Sequence, residues 1–276
     1  MSDLSTEMNH QILLARRPNG LVTQEDFEPA TAPLPELAEG EALMRTIYLG
    51  MDATVRTWLN RGEGYLPAVD IGEVVRCSGI GRVVATRCDA YEIGDVAYSL
   101  PGWQDYAVIR DDAFTTKIED VTDLRSMMSV FGATGAAAYF GLLDIGRIQP
   151  GETLVVSAAA GATGSIAGQI GKIHGCRVVG IAGTDEKCAW VIDELGFDGC
   201  INHRSADVAR ELAELCPDRV DVYFDNVGGS ILDAVLGRLN QHGRVVLCGA
   251  ISTYNEQGRP PGPANYLNLI SRRGRM

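Results

Sequence analysis

A run of small residues, Ala159–Gly164, has the composition and spacing of a phosphate-binding turn. Its sequence is AAGATG, and Gly168 follows one helical turn later. Such a turn must bend tightly, let its backbone approach a pyrophosphate, and pack its helix closely on the preceding strand. The helix N-terminus then presents unpaired amides and the positive end of a dipole to the phosphate oxygens. A dinucleotide is therefore predicted to bind at Gly161, Ala162, Thr163 and Gly164, with a turn that serves only close packing as the alternative.

The residues after the next apolar strand bear on the type of dinucleotide. Folds that bind NAD usually place Asp or Glu there, about 20 residues after the glycines, where it holds the ribose hydroxyls. Here the strand Arg177–Ala182 is followed by Gly183, and Lys187 lies in the first turn of the next helix. The missing acid removes repulsion toward a 2′-phosphate, and a lysine can pair with that group. NADPH is therefore the predicted cofactor, although Lys187 could also serve only to solvate a helix surface.

Both features lie in a half of the chain where short apolar strands alternate with helical segments. The predicted strands are Thr153–Ser157, Arg177–Ala182, Cys200–Asn202, Val220–Asp225 and Arg244–Cys248. The predicted helices between them are Thr163–His174, Asp185–Leu195, Ala206–Cys216 and Gly229–Asn240. Strands buried on both faces and separated by helices indicate an α/β fold with a doubly wound parallel sheet of the Rossmann type.

The first half of the chain is rich in β-strand patterns. The predicted strands are Ala42–Leu49, Gly81–Ala85, Asp95–Ser99 and Trp103–Ile109. Gly, Pro and Asp punctuate them, which is typical of a small antiparallel barrel. The segment Pro29–Pro35 is predicted to be an extended surface loop. The pattern changes near Asp123, where Leu124–Leu143 predicts a helix, so we expect one domain over residues 1–125 and a second over residues 126–276.

Charge and cysteine content exclude several classes of function. The formal net charge is -12, and an acidic surface repels phosphate backbones and anionic lipids, which argues against nucleic-acid or membrane-surface binding. The N-terminal segment lacks a long apolar stretch, so no signal peptide is expected. The seven cysteines form no CxxC pair and lie apart from the histidines. This pattern predicts reduced thiols in a cytoplasmic protein without a zinc or other metal site.

Several longer motifs resemble one family of oxidoreductases. They are Ala158–Gly171, Gly183–Lys187, Phe224–Gly229 (FDNVGG) and Cys248–Asn255 (CGAISTYN), with weaker matches at Met51–Arg56, Gly102-Trp103 and Ala138–Leu143. These segments resemble the zinc-free medium-chain dehydrogenase/reductases of the prostaglandin reductase and plant double-bond reductase type. The resemblance covers nearly the whole chain.

The resemblance implies a fold and an activity. The fold would be an N-terminal GroES-like β-barrel that holds the substrate, followed by a Rossmann domain that binds NADPH. The activity would be reduction of the carbon–carbon double bond in α,β-unsaturated ketones and aldehydes by hydride transfer to the β-carbon. A quinone reductase on the same fold and a cofactor-binding chain without catalysis are the alternatives. The full-length parent would be a homodimer.

The resemblance also assigns site residues by position. Gly161–Gly164 would hold the pyrophosphate and Lys187 the 2′-phosphate, with His203 at a position where relatives often have Tyr. The ribose and nicotinamide would be lined by Asn226, Cys248, Gly249, Ala250, Ile251, Ser252, Thr253 and Tyr254. Asp52, Arg56 and Trp103 could shape the substrate pocket or only pack the barrel.

Tyr254 is the candidate catalytic residue. The reaction develops an enolate on the carbonyl oxygen of the substrate, and a nearby donor stabilises that charge. A phenol after the fifth strand, at the carboxyl edge of the sheet, could donate to this oxygen or relay a proton. The alternative is that Tyr254 only packs against the cofactor.

The sequence departs from the family at three places. Thr54 replaces an aromatic residue, and Ala137 replaces a threonine expected near the nicotinamide. The chain also ends several dozen residues before its relatives do. We therefore expect a truncated chain that lacks the sixth Rossmann strand and the segment that returns to the first domain, leaving an open sheet edge.

Overall fold

The chain forms two compact units, Met1–Met128 and Ser129–Met276. The structure, a computed structural model, describes Leu4, residues 6–61, Gly64, and residues 66–119, 123–256, 258 and 260–276. Among these residues, no helix has the length and apolar character that crossing a bilayer requires.

The first unit is built mainly of antiparallel strands. Its strands are β1 (Met8–Leu14), β2 (Phe27–Pro33), β3 (Glu41–Leu49), β4 (Gly79–Thr86), β5 (Val96–Ser99), β6 (Tyr106–Arg110) and β7 (Thr116–Ile118). Its helices are α1 (Val55–Trp58) and α2 (Leu124–Met128), with a 3₁₀ turn at Gln24–Asp26. Five strands form one antiparallel sheet in the order β6-β3-β4-β5-β7. The prediction of a β-rich first half is confirmed.

A second sheet of this unit contradicts one prediction. The segment expected as a surface loop, Pro29–Pro35, lies largely within β2, which pairs antiparallel with the unpredicted strand β1. Pro29 and Pro33 occupy ladder positions opposite Ile12 and Met8. Proline cannot donate to a ladder, and β2 tolerates it because β2 is the edge strand of this two-stranded sheet.

The second unit alternates strands with helices. Its strands are β8 (Thr153–Ser157), β9 (Arg177–Ala182), β10 (Gly199–Asn202), β11 (Val220–Asp225) and β12 (Leu239–Leu247). Its helices are α3 (Ala133–Phe140), α4 (Ala162–Ile173), α5 (Asp185–Asp193), α6 (Val208–Leu215), α7 (Gly229–Arg238) and α8 (Asn268–Ser271), with 3₁₀ turns at Ile251–Thr253 and Ala264–Leu267. The sheet order is β10-β9-β8-β11-β12, and all its pairs are parallel. The predicted α/β fold with a Rossmann-type sheet is confirmed.

The apolar strand β8 shows how this sheet forms two cores. Leu154 and Val156 pack on one face, in a cluster with α3 and α4, and Val155 packs on the other face with residues of α6 and α7. All five residues of β8 are buried. A strand buried on both faces gains apolar burial from both layers, which explains its continuous apolar run.

The helix predicted over Leu124–Leu143 is interrupted in the structure. It divides into α2 and α3, and α3 continues as a π-helical turn at Gly141–Gly146. The break arises at Ser129–Gly132, where the amide of Gly135 donates to the carbonyl of Ser129 at 3.1 Å. A methyl carbon added to Gly135 would lie 1.8 Å from the carbonyl oxygen of Val130, so only glycine permits this turn.

The strand β12 lies at the edge of the five-stranded sheet. It begins five residues earlier than the predicted strand Arg244–Cys248, because its first residue, Leu239, already pairs with Val220 across a bulge. On its outer side, Arg244 and Arg275 form a single parallel bridge.

Arg244 joins β12 to the loop between the π-helical turn and β8. Its guanidinium donates to the carbonyls of Gly146 and Arg147 at 2.7 and 2.8 Å. It also binds both carboxylate oxygens of Glu152, at 2.7 and 2.8 Å. Both side chains are about four-fifths buried, at 19% and 22% exposure, so the fork geometry is shielded from competing water.

We expect the variant Arg244→Met to lose about 2–3 kcal/mol of unfolding free energy, because two carbonyls lose this donor and the Glu152 carboxylate keeps only the amide of Gln149. Urea denaturation of the purified chain measures this loss. The control is Arg210→Met, which breaks an exposed pair with Glu214 on one face of α6 and should cost under about 0.5 kcal/mol. Equal losses in the two variants would contradict a special role for Arg244.

Candidate functional site

The predicted phosphate turn lies between β8 and α4 with tight backbone geometry. Ala158 has φ +48, and Gly161 caps the N-terminus of α4 while its amide donates to the carbonyl of Ala158 at 2.8 Å. A methyl carbon added to Gly164 would lie 2.2 Å from that same carbonyl oxygen. The turn therefore depends on the absence of a side chain at Gly164.

Three amides of this turn are available to a ligand. Within the part of the chain that the structure describes, Ala162, Thr163 and Gly164 donate from their backbone to no protein acceptor. They form the first turn of a helix of 12 residues, where the N–H groups point outward along the axis. Such a terminus is a preformed site for a phosphate group.

The helix α4 approaches the sheet very closely. A methyl carbon on Gly168 would lie 1.8 Å from the ring of Phe197. The small residues of this motif therefore have two separate roles. Those of the turn leave backbone amides open to a ligand, and Gly168 allows close packing in the core.

The end of β9 lies beside two side chains with basic groups, and Lys187 follows in the next helix. A methyl carbon added to Gly183 would lie 3.4 Å from Nε2 of His203 and 3.5 Å from Nε of Arg204. Lys187 is exposed in the first turn of α5, where its amide donates to Oγ1 of Thr184 at 3.2 Å. The structure thus places Gly183 and His203 together, and it adds Arg204, which the sequence reasoning did not single out.

Lys187 differs from the other two lysines of the chain. Lys117 pairs with Asp95 and Lys172 with Asp198, each at 2.7 Å. Lys187 forms no ion pair with any described residue. Its ammonium group is therefore available to an anionic ligand.

The carboxyl ends of β8 and β11 are joined by a buried hydrogen-bond network. Oδ1 of Asp225 accepts from the hydroxyl groups of Ser157 and Tyr223, at 3.1 and 2.8 Å, and from the amides of Val227 and Gly228. Burial, and then the nearby Asp225 carboxylate, raise the pKa of Tyr223 well above its usual range, so the phenol stays a donor. Oδ2 of Asp225 is buried without a partner among the described residues.

This network orients the side chain of Asn226. Its amide nitrogen Nδ2 donates to the carbonyl of Ser157 at 2.7 Å, and its backbone amide donates to Oγ of Ser157 at 2.9 Å. With Nδ2 engaged in this way, Oδ1 is presented as an acceptor. The arrangement suits a ligand with a hydroxyl or amide donor.

The loop after β12 folds back over the same strand ends. The amides of Cys248 and Gly249 donate to the carbonyl of Asp225. Ile251–Thr253 form a 3₁₀ turn, and Oγ of Ser252 donates to the carbonyl of Val227 at 2.6 Å. The loop therefore rests on the turn that holds Asn226.

The phenol of Tyr254 lies against this loop. Its oxygen accepts a hydrogen bond from the amide of Ala250 at 3.3 Å, which leaves its own proton free for another acceptor. Tyr254 also lines an open cavity of about 570 Å³ together with Asp225, Gly228, Cys248 and Thr253. Of the residues predicted for the site, Cys248, Gly249, Ala250, Thr253 and Tyr254 line this cavity. Asn226 lies outside its lining and contacts the same loop through its carbonyl, which accepts from the amide of Ile251 at 3.2 Å.

The candidate residues of the first unit have partners within that unit. The carboxylate of Asp52 accepts from Oγ of Ser78 at 3.2 Å. Arg56 donates to Oδ1 of Asn60 and to the carbonyl of Gly20. Trp103 packs against Phe27, with 5.2 Å between ring centroids. These contacts give all three residues a structural role, and their part in a substrate pocket stays a prediction.

The cysteines and potential metal ligands are dispersed. All seven cysteines are free thiols, and four of them are buried. Among the residues that the structure describes, no three His, Cys, Asp or Glu side chains lie close enough to hold a metal ion.

Two family models match the chain. One, described as the N-terminal domain of oxidoreductase, covers residues 10–118, and one described as zinc-binding dehydrogenase covers residues 162–275. The NADPH-dependent curcumin reductase of Escherichia coli (strain K12) is 42% identical over 93% of this chain and 74% of that protein. Prostaglandin reductase 1 of Bos taurus is 37% identical over 89% of this chain and 74% of that protein.

Solved structures give the same relationship. The crystal structure of CurA from Vibrio vulnificus matches with a TM-score of 0.92 at 41% identity, over 97% of this chain and 80% of that chain. CurA in complex with NADPH matches with a TM-score of 0.90 at 42% identity over the same shares. The agreement of motifs, fold and overall identity confirms that this protein belongs to the zinc-free medium-chain dehydrogenase/reductase family of oxidoreductases, among the curcumin and prostaglandin reductases.

Proposed function

We propose that this protein is an NADPH-dependent reductase of the carbon–carbon double bond in α,β-unsaturated ketones and aldehydes. It is supported most directly by two features at the carboxyl edge of the parallel sheet, one after β8 and one after β9. Three amides without a protein acceptor among the described residues lie at Ala162–Gly164, and the basic side chains of His203 and Arg204 lie beside Gly183. A dinucleotide with a 2′-phosphate matches both features.

The residues of the second unit fit this cofactor on structural grounds. The amides of Ala162–Gly164 would bind the pyrophosphate, because no acceptor among the described residues engages them and Gly164 lets α4 begin close against the carbonyl of Ala158. Lys187 and His203 would bind the 2′-phosphate. Asn226, with its free Oδ1, and the loop Cys248–Tyr254 would hold the ribose and nicotinamide. When bound, NADPH supplies the hydride for the reduction.

The chain's own contribution to the chemistry centres on Tyr254. The amide of Ala250 donates to the phenol oxygen, so the hydroxyl proton points away from that amide toward a further acceptor. The acceptor we propose is the carbonyl oxygen of the substrate, on which negative charge develops as the β-carbon is reduced. A fixed donor stabilises this charge more than it stabilises the neutral carbonyl, which lowers the barrier.

The relatives support the class of acceptor. Two of them are named for curcumin and prostaglandin reduction, and one solved relative was crystallised with NADPH. Curcumin is an α,β-unsaturated ketone by its chemistry, so an enone is the acceptor that we propose for this chain too.

The proposal is tested by titrating the purified chain with NADPH and NADH, with cofactor fluorescence as the signal, and then measuring turnover with a matched panel of enones and quinones. We expect tighter binding of NADPH and faster oxidation of it with enones. Preferential turnover of quinones would replace the proposed acceptor. Binding without turnover would indicate a cofactor-binding chain.

We expect the variant Tyr254→Phe to lower kcat by about 100-fold, because loss of one donor to a developing oxyanion typically costs this much. The dissociation constant of NADPH should stay within about twofold. Steady-state kinetics with a simple enone and a fluorescence titration measure the two quantities. The control is Tyr266→Phe, at an exposed position outside the cavity. Undiminished turnover by Tyr254→Phe would exclude the donor role.

A further inference from the structure

Arg204 lies where it can select between NADPH and NADH. We infer that its guanidinium binds the 2′-phosphate and is a specificity-determining residue of this protein. The inference rests on the proposed function, since it concerns the cofactor named there. It goes beyond the sequence motifs, which point only to Gly183, Lys187 and His203 in this region.

The position of Arg204 follows from the sheet order. The strand β10 pairs parallel with β9, so the turns that follow the two strands are neighbours at the carboxyl edge. The amide of His203 extends this pairing by donating to the carbonyl of Ala182 at 3.0 Å. As a result, Nε and Cζ of Arg204 lie 3.5 and 3.7 Å from the point where a side chain of Gly183 would begin. In NAD-binding folds an acidic residue usually occupies the position of Gly183. Here that position is a glycine, and the guanidinium of Arg204 lies beside it.

The turn that carries Arg204 is anchored at its base. Asn202 accepts from the amide of Arg204 through Oδ1 at 3.1 Å, and its Nδ2 donates to the carboxylate of Asp185 at 2.7 Å. One side chain therefore links the turn after β10 to the first turn of α5, which also carries Lys187. Arg204 and Lys187 therefore lie on neighbouring turns that share this anchor.

No carboxylate of the described residues pairs with this guanidinium. Arg204 forms no ion pair with any residue that the structure describes. The two nearest acids along the chain are engaged elsewhere: Asp198 pairs with Lys172, and Asp207 accepts from the amides of Ala209 and Arg210 at the start of α6. Asp185, on the neighbouring turn, accepts from Asn202. In a chain with a formal net charge of -12, an arginine and a lysine left unpaired at one sheet edge indicate an anionic ligand.

A guanidinium suits this ligand better than a second ammonium group would. Its planar fork can donate two parallel hydrogen bonds to a phosphate, whereas lysine acts as a compact point charge. A 2′-phosphate offers three oxygens, so Arg204 and Lys187 can bind it together. The 2′-hydroxyl of NADH lacks the charge that either residue needs.

The test measures binding, with probes that isolate the 2′-phosphate. Calorimetry compares 2′,5′-ADP with 5′-AMP, and cofactor fluorescence compares NADPH with NADH, for the intact chain and for Arg204→Gln. We expect this variant to bind 2′,5′-ADP and NADPH about 10- to 100-fold more weakly, while 5′-AMP and NADH change by less than about twofold. Arg204→Lys should recover part of the loss.

The matched control is Arg210→Gln. This exposed arginine lies on α6, pairs with Glu214 and carries the same charge, so its loss changes the overall electrostatics equally. The inference would be overturned if Arg204→Gln weakened the binding of 5′-AMP as much as that of 2′,5′-ADP, and of NADH as much as of NADPH. That result would indicate contact with the adenine or a structural role. An unchanged affinity for 2′,5′-ADP would overturn it as well. If the unsubstituted chain did not prefer NADPH over NADH, the proposed function itself would fail.

Discussion

The variant Gly183→Asp is expected to lower the preference for NADPH over NADH by on the order of 100-fold or more, since like charges placed together in a binding site cost several kcal/mol. Two effects add. The new carboxylate would repel a 2′-phosphate, and it would pair with Arg204 or His203, whose side-chain nitrogens lie within reach of the added carbon. The same carboxylate can accept hydrogen bonds from both ribose hydroxyls of NADH.

The fold should tolerate this substitution. The closest atom to an added carbon at Gly183 lies 3.4 Å away, at an ordinary contact distance, and this glycine does not have a positive φ. Dissociation constants for both cofactors, measured by fluorescence, decide the result. The variant Gly183→Asn is the matched control, because it has nearly the same shape without the charge. If Asn and Asp shift the preference equally, the effect is steric and the electrostatic explanation is wrong.

The turn after β8 and the region around Gly183 differ in how far the sequence predicts them. The strand, turn and helix that carry Gly161–Gly164 were predictable because their determinants are local: an apolar strand, small residues and a helix start, all within Thr153–His174. The strand bounds of β8, β9 and β11 agree with the prediction for the same reason. Arg204 was not predictable in this way. It lies in a polar turn, and only the pairing of β10 with β9 brings it over Gly183.

The buried network at Asp225 was also beyond the reach of the sequence pattern. The segment Val220–Asp225 predicts a strand, but its last residue is a fully buried acid that accepts four hydrogen bonds. Three of the donors, Tyr223 and the amides of Val227 and Gly228, lie within three residues of Asp225, whereas Ser157 becomes its neighbour only through the pairing of β8 with β11. That one contact between strands joins the two strand ends, and the strand pattern alone does not record it.

The errors in the fold have physical causes of the same kind. The prolines of β2 argue against a strand by local propensity, yet pairing with β1 outweighs them. The helix expected over Leu124–Leu143 satisfies a periodic pattern, but the approach of Gly135 to Val130 breaks it. In the first case the pairing of two strands decides the structure, and in the second a close backbone approach between residues five apart does.

The variant Gly164→Ala is expected to weaken NADPH binding on the order of 100-fold and to lower the unfolding free energy by about 1–3 kcal/mol. Its added carbon would lie 2.2 Å from the carbonyl oxygen of Ala158, which is backbone and cannot rotate away. Ala158 already has a positive φ, so the strand end has little freedom to adjust. Relief of the clash must therefore move the start of α4 and tilt the three unpaired amides away from the pyrophosphate.

A second glycine in a helix separates this effect from the general cost of adding a methyl group. In Gly237→Ala, on α7, the nearest atom would lie 3.7 Å away, so the substitution should raise stability by about 0.5–1 kcal/mol through helix propensity. Thermal unfolding with and without NADPH gives stability and affinity from one sample series. The effects of Gly161→Ala on stability and affinity should lie between those of Gly164→Ala and Gly237→Ala. Its added carbon would lie 3.1 Å from the carbonyl oxygen of Ala158, a milder contact than at Gly164. A Gly164→Ala chain that kept full NADPH affinity would show that the amides of α4 do not hold the pyrophosphate.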